Sequence, residues 1–256
     1  LLVDSGSENL SEQIRGTCDI AIICGKTLDT PALADLASQV LTNDGYALTI
    51  QNGLGNAEVL AHRLGRERVF VGSLTHAAWR SDEGEVHWVG RGSINFGALD
   101  SKENHRAKPL LDILNDAELD AVLSDDIQQI IWKKLLINVA INPVCAIAGV
   151  RNGALLEVNS LWQQSMQAMR EAAIVARASG IDLGDIELDE YLRGVVVISP
   201  ENRCSMLQDI MAGRPTEIDA LCGAVVLRGE AEGIPTPCNA ILHGLIKGIE
   251  NSSKLD

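Results

Sequence analysis

One lysine and two asparagines carry the chemistry most legible in this sequence. Lys134, Asn138 and Asn142 recur at i, i+4 and i+8 within IWKKLLINVAINPVCAIAGVRNG (131–153). On a helix they form a single polar stripe, each residue about 6 Å beyond the last. The positions between them are apolar: Leu135, Leu136, Ile137, Val139, Ala140 and Ile141. Exposed helix faces usually mix charges and carry Glu–Lys pairs. One ammonium followed by two amides suits a stripe that lines a cleft. The alternative is a solvated stripe, with Asn142 capping the helix before Pro143. The chemistry on offer is clear in either case. An ammonium stabilises a developing oxyanion and gives it a proton, while neutral amides orient hydroxyl and carboxylate groups without adding charge.

A second polar set lies further on. Ser205 and Asp209 sit one helical turn apart in CSMLQDI, and AGRPTEID then leads into another helix. Thr216 is placed to cap that helix, and Glu217 falls in its first turn, where the helix dipole favours a carboxylate. A purely structural cap is the competing role for Glu217. Earlier, Gly53-Leu-Gly-Asn-Ala-Glu58 follows a strand pattern and precedes a helix, the context of a dinucleotide-binding turn. Glu58 stands where the third glycine would be, so these glycines read as turn residues and not as a pyrophosphate loop. No other G-x-G-x-x-G occurs. The phosphate loop of any nucleotide-binding domain is therefore expected upstream of Leu1, as is a preceding strand in the encoding DNA.

The elements that must position these residues alternate at first. CDIAIIC (18–24) reads as a buried strand. TPALADLASQVL (30–41) reads as a helix capped by Asp29 or Thr30, with Pro31 in its first turn. YALTI (46–50) is a strand, NAEVLAHRL (56–64) a helix and RVFVGSL (68–74) a strand. EVHWVG and SINFGAL (85–99) read as a strand pair separated by Arg91-Gly92, followed by a helix at 108–117 and a strand at 119–124. Such alternation predicts a parallel sheet with helices on its faces. From Asp125 the pattern is helical: DIQQIIWKKLLINVAI, LWQQSMQAMREAAIVARASG, RCSMLQDIMAG, EIDALCGAVVLRGEAEG and NAILHGLIKGIE. The turns PVCAIAGVRNG and GIPTP punctuate it. The domain boundary is placed near residue 125.

Bulk composition narrows the classes. At 256 residues and 46% hydrophobic, the chain can bury a core for two domains. A formal net charge of −14 disfavours nucleic acid and anionic membranes as partners. It leaves room for a small anionic substrate, which needs only local positive charge. The six cysteines form no CxxC pair and no Cys/His cluster, which argues against zinc and for reduced thiols in a cytoplasmic protein. No apolar run approaches the ~18 residues of a membrane helix, and LLVDSGSENL lacks a signal-peptide pattern.

At WKKLLINVAINPVCAIAGVRNG, SMLQDIMAGRPTEIDALCGAVVLRGEAEGIPTP, LTIQNGLGNAEVL and THAAWRSDEGEVHWVGRG the sequence resembles the ketopantoate reductase (2-dehydropantoate 2-reductase) family, in the family's order over most of residues 20–248. The resemblance implies an N-terminally incomplete Rossmann-type NADP-binding domain over 1–124. An all-helical substrate domain like the C-terminal domain of 6-phosphogluconate dehydrogenase would follow over 125–256. It implies reduction of ketopantoate to (R)-pantoate by NADPH, in pantothenate and coenzyme A biosynthesis, and the family's common homodimer. By position in the motifs, Lys134 takes the place of the general acid, and Asn52, Asn138, Asn142, Asn152 and Ser205 take substrate-binding places. Glu217 takes the place of the acidic residue that meets cofactor and substrate. Asn52 matches the asparagine at the nicotinamide end, Lys26 a lysine of the cofactor cleft, and Ala78 a further cofactor contact. Two other readings stand beside this one: a paralogue acting on another branched 2-oxoacid, and a non-catalytic module that has lost its nucleotide site. Retention of the whole polar set argues against the last.

Overall fold

The computed structural model describes residues 14–81 and 84–252. Residues 1–13, which begin with LLVDSGSENL, and residues 82–83 of the THAA-containing motif lie outside that description, as do residues 253–256. Two compact units are present, one of Leu1–Gln51 and Gly55–Ile130, the other of Asn52–Leu54 and Ile131–Asp256.

In chain order the first unit contains β1 (Cys18–Ile23), α1 (Thr30–Val40), β2 (Leu41–Thr49), α2 (Asn56–Leu64), β3 (Val69–Leu74), β4 (Ala77–Arg80), β5 (Val86–Gly90), β6 (Ile94–Ala98), α3 (Lys108–Asp116) and β7 (Ala121–Leu123). Five strands form one sheet in the order β1-β2-β3-β6-β7. The pairs β1–β2, β2–β3 and β6–β7 are parallel, while β3–β6 is antiparallel, so the sheet is mixed. Side chains alternate across it. Tyr46, Leu48, Phe70 and Phe96 share a core with Leu110 and Leu114 of α3. Ala47, Val69 and Val71, on the other face by alternation, are buried too.

Several sequence expectations need correction in this unit. The strand over 18–24 is largely unburied: only Ile23 is enclosed and Ile22 is 45% exposed, because β1 lies at the end of the strand order. The segments at 85–99 are two strands on either side of Arg91-Gly92, as expected, but they belong to different sheets. Outer-facing β5 pairs with β4, and the enclosed β6 pairs with β3. Between them the backbone N–H of Gly92 donates to His76 Nδ1 at 3.0 Å, and that of Ser93 to Thr75 Oγ1 at 2.8 Å. These bonds tie the Arg91–Ser93 link back to the end of β3 in place of a hairpin turn. At α1, neither expected cap makes a side-chain cap bond; the Thr30 hydroxyl donates to Asn56 Oδ1 at 2.9 Å instead.

The second unit is helical. α4 (Ile127–Ala148) begins in the first unit and runs into the second. After it come α5 (Ala154–Glu157), α6 (Asn159–Ala178), α7 (Leu188–Ile198), α8 (Ser205–Met211), a π-helical turn at Asp219–Gly223, α9 (Ala224–Glu232) and α10 (Pro237–Ser252). By length and composition α4 could cross a membrane, contrary to the sequence reading, since an 18-residue average tolerates Lys133 and Lys134. Most of it is enclosed within the fold, as in the core helix of a globular protein: Trp132, Leu135, Leu136, Val139 and Ala140 are almost inaccessible. The helix also continues through Pro143, where a turn was expected. Proline removes one backbone bond, and burial of Val144, Cys145 and Ala146 offsets the loss. The sequence reading omitted α7. Its Leu192 and Val196 are buried, and Asp189 accepts from Trp162 Nε1 at 3.1 Å.

One buried acid secures the start of α10. Glu171 of α6 is 3% exposed. Its carboxylate accepts from the backbone N–H groups of Cys238 and Asn239, both at 3.0 Å, and from Asn239 Nδ2 at 2.9 Å. A carboxylate at a helix N-terminus satisfies donors that the helix itself cannot, and the dipole favours its charge. Glu171→Ala would strand those donors, so urea unfolding followed at 222 nm should show a loss of about 3 kcal/mol. A loss under about 1 kcal/mol would show that the carboxylate does not secure this helix.

Candidate active site

All three residues of the Lys134–Asn138–Asn142 stripe lie on α4, which runs past Pro143, so Asn142 is not its cap. Asn142 is 9% exposed, and Lys134 and Asn138 are partly buried. A solvated stripe would not be enclosed in this way. Burial pushes the Lys134 ammonium below lysine's ordinary range, and the nearby Glu217 carboxylate pulls in the opposite direction.

Glu217 is 9% exposed, and its Oε2 accepts from Asn52 Nδ2 at 3.1 Å. The two residues are 165 positions apart in sequence. Two local features bring them together. Thr216 Oγ1 accepts from the Ile218 backbone N–H at 3.2 Å, a local turn that fixes the chain around Glu217; Ile218, not Thr216, is the N-cap of the π-helical turn, and Glu217 lies just before its first turn. On the other side, the Leu54 N–H donates to the Ala220 carbonyl at 2.9 Å. Gly53 adopts φ +80°, and a Cβ there would lie 2.4 Å from the Ala220 oxygen. Only glycine permits both that conformation and that approach. Gly53 and Gly55 are thus turn glycines, Gly53 docking against the π-helical turn.

The remaining sequence-derived residues of this unit gather around the chain between α7 and α8. Cys204 Sγ donates to the Asn142 carbonyl at 3.5 Å, which seats Ser205, the exposed first residue of α8, close to that backbone. The Asn152 N–H donates to the Asn202 carbonyl at 2.9 Å, and the Gly153 N–H to that of Pro200 at 2.8 Å. Asn152 is 4% exposed and its Oδ1 has no hydrogen-bond partner. Asp209, one turn after Ser205, is taken up structurally: it is buried and accepts from Arg214 Nε at 3.0 Å.

Lys26 and Ala78 belong to the first unit, and both are exposed. Lys26 follows the carboxyl end of β1, beside that of β2, where Ile23 registers with Thr49. Gln51, next along β2's exit, donates through Nε2 to the Gly25 carbonyl at 2.9 Å and to Thr30 Oγ1 at 2.8 Å. Ala78 lies on β4. Sequence reasoning missed the docking of Gly53 on Ala220, the π-helical turn and the Pro200–Asn202 carbonyls. The G-x-G spacing was a visible signal for the first; nothing local marked the others.

The family model described as "Ketopantoate reductase PanE/ApbA" matches residues 4–101, and "Ketopantoate reductase PanE/ApbA C terminal" matches residues 126–250. The 2-dehydropantoate 2-reductase of Archaeoglobus fulgidus is 33% identical over 233 residues, covering 91% of this chain and 77% of that protein. Among solved structures, a PanE/ApbA family ketopantoate reductase from Ralstonia eutropha JMP134 matches with TM-score 0.85 and 30% identity, over 95% of this chain and 79% of that one. A D-mandelate dehydrogenase solved with NADH and anilino(oxo)acetate matches with TM-score 0.84 and 26% identity, over 92% and 77%. An α/β unit followed by a helical unit with an enclosed Lys–Asn–Asn stripe, matched over both parts by these models and relatives, places the chain in the ketopantoate reductase family of oxidoreductases.

Proposed function

We propose that this protein reduces 2-dehydropantoate to (R)-pantoate with NADPH, a step toward pantothenate and coenzyme A. The observation that carries the reading is the partly buried Lys134, its proton affinity lowered by burial, next to a Glu217 carboxylate that holds Asn52. Residues 1–124 take the cofactor role and 125–256 the substrate role. Cofactor contacts are assigned to Lys26 and Ala78 in the first unit, and to Asn52 and Glu217 in the second. Lys26 fits a nicotinamide nucleotide: it leaves the carboxyl edge of the parallel strands, where doubly wound sheets bind such ligands, and supplies a cation for phosphate or ribose oxygens. When bound, the reduced nicotinamide supplies the hydride that the C2 carbonyl carbon receives.

The chain's own residues manage the rest. As the carbonyl carbon gains the hydride, negative charge grows on its oxygen; Lys134 Nζ stabilises that charge and delivers the proton, leaving a neutral amine. Asn138, Asn142 and Ser205 orient the substrate's oxygens, and neutral donors do this without competing with Lys134 for charge. The orphaned Asn152 Oδ1 calls for a donor, which a hydroxylated 2-oxoacid provides and a purely hydrocarbon side chain does not. The second reading, a paralogous NADH-dependent reductase of another branched or aromatic 2-oxoacid, is favoured by the likeness to the D-mandelate dehydrogenase. Assay of the full-length protein with ketopantoate and an aromatic 2-oxoacid, each with NADPH and NADH, separates the two.

Three outcomes test the assignment. Lys134→Ala should lower kcat by about 10²–10⁴ while circular dichroism stays that of the folded protein; turnover at the wild-type rate would remove Lys134 from the reaction. The pH profile tests the Lys134–Glu217 pair. Lys134 acts only when protonated, so kcat should fall as pH rises through its lowered pKa. Because Glu217 raises that pKa, Glu217→Gln should move the alkaline limb to lower pH. A limb that stays or moves upward contradicts the pairing. Finally, the analogue lacking the substrate hydroxyl should lose at least about tenfold in kcat/KM, and Asn152→Ala should narrow that ratio. Equal use of both substrates by the wild type would separate Asn152 from recognition.

A further inference from the structure

Three polar side chains of α10, His243, Lys247 and Glu250, converge on the short segment that presents Glu217. Glu250 Oε1 accepts from both the backbone N–H and the Oγ1 hydroxyl of Thr216, each at 2.7 Å. Thr216 is the residue immediately before Glu217. Two residues beyond Glu217, Asp219 meets His243 Nε2 through Oδ1 at 2.7 Å and Lys247 Nζ through Oδ2 at 2.9 Å. Lys247 also reaches Glu250 Oε2 at 3.1 Å, so it joins the two attachments. His243, Lys247 and Glu250 fall at i, i+4 and i+7, one face of the helix. The histidine ring rests on Gly223 at the end of the π-helical turn, where a Cβ would lie 3.1 Å from Nε2.

This arrangement differs from a set of surface ion pairs. Isolated exposed pairs add little to stability. Here the Glu250 side chain is only 12% exposed, and its bonds go to backbone as well as to side chain. Burial alone would favour the neutral acid, yet the Thr216 hydrogen bonds and the Lys247 ammonium outweigh it and hold Glu250 below the usual carboxylate range. The charged form is the one the fold retains. Glu217 is thereby bracketed: the residue before it and the residue two after it are both fixed to α10, and its own carbonyl accepts from Ala220 and Leu221 N–H at 3.1 Å. A one-turn carboxylate whose flanks were free would swing relative to Asn52 and Lys134.

We propose that Glu250 is a positioning residue for the site, acting with Asp219, Lys247 and His243 as a clamp that sets the direction of the Glu217 carboxylate. The proposal rests on the reading of Glu217 as a site residue, and its consequence is specific. Loss of the clamp should act through Glu217 and through nothing else in the site. The Asn52 side-chain amide is a direct reporter, because it donates to Glu217 Oε2.

The test uses the full-length protein and two measurements. The first is the ¹⁵N–¹H signal of the Asn52 carboxamide, assigned by its loss in Asn52→Asp. The second is kcat and KM for ketopantoate with NADPH. In Glu250→Ala the Asn52 signal should move toward its position in Glu217→Ala, and kcat/KM should fall about tenfold. Glu250→Gln, which keeps an acceptor for Thr216, should recover much of both. In a Glu217→Ala background, adding Glu250→Ala should cost nothing more, since interacting residues are non-additive. Lys247→Met, a milder change at a more exposed position, should shift the signal in the same direction and serves if Glu250→Ala does not fold. An Asn52 signal unmoved in a folded clamp variant, or losses that multiply in the double variant, would overturn the proposal. If the wild type does not reduce ketopantoate, the functional reading fails by itself, and the Asn52 signal alone decides the clamp.

Discussion

Helix α4 answers to two demands that oppose each other. As the core helix of the second unit it is enclosed by apolar neighbours, and any polar group placed there loses water. Along one stripe it nevertheless holds an ammonium and two amides. The sequence limits the cost in three ways: the polar residues recur every four positions, two of the three carry no charge, and a carboxylate lies near the third. What cost remains appears as the lowered proton affinity of Lys134. In the proposed reaction that is an advantage, because an ammonium of reduced pKa releases its proton more readily to an alkoxide. Burial and acidity are here a single effect. The π-helical turn, the Gly53 turn and the chain before α8 then serve to bring partners to that stripe.

The stripe was legible in the sequence because the helical period is fixed, and three polar residues four apart in an apolar run have one geometric meaning. Its continuation was not. Pro143 carries a local penalty that argues for a stop, and only the packing of Val144, Cys145 and Ala146 reverses it. α7 was missed for the same kind of reason: Gly194 and the Val195–Val197 run lower helix propensity, while Leu192, Val196 and the Trp162–Asp189 bond hold the helix in place. The apolar character of residues 94–98 and 86–90 gave strands but not partners, since pairing depends on which strand is enclosed. The Asn52–Glu217 contact lay beyond any local pattern.

Gly53 and Gly55 show how a correct local observation admits two uses. Glycines after a strand and before a helix allow the backbone to come close to something, and in dinucleotide-binding domains that something is a pyrophosphate. Here the approach is made, but to the Ala220 carbonyl. A carbonyl oxygen presents acceptor character as a phosphate does, and the Leu54 N–H meets it as a loop N–H would meet an anion. The same residue type fulfils the same steric need for a different partner. Glu58 in place of the third glycine separated the two possibilities in advance, because a side chain there does not suit the close helix–strand packing of a nucleotide-binding turn.

Charge sets the last constraint. A chain with 35 acidic and 21 basic residues repels an anion at long range, and the proposed substrate is one. Physiological salt confines that repulsion to about 8 Å. Within the site, few groups matter. Lys134 beside Glu217 is close to neutral as a pair, so a bound carboxylate would add net negative charge to a partly enclosed region. Binding then depends on hydrogen bonds from neutral donors, which is what Asn138, Asn142 and the Ser205 hydroxyl offer. As charge moves from the reacting carbon onto its oxygen, the demand on Lys134 rises while the demand on the amides changes little. The site proposed here is therefore tuned to the transition state more than to the substrate, since its one strong electrostatic interaction grows only as the reaction proceeds.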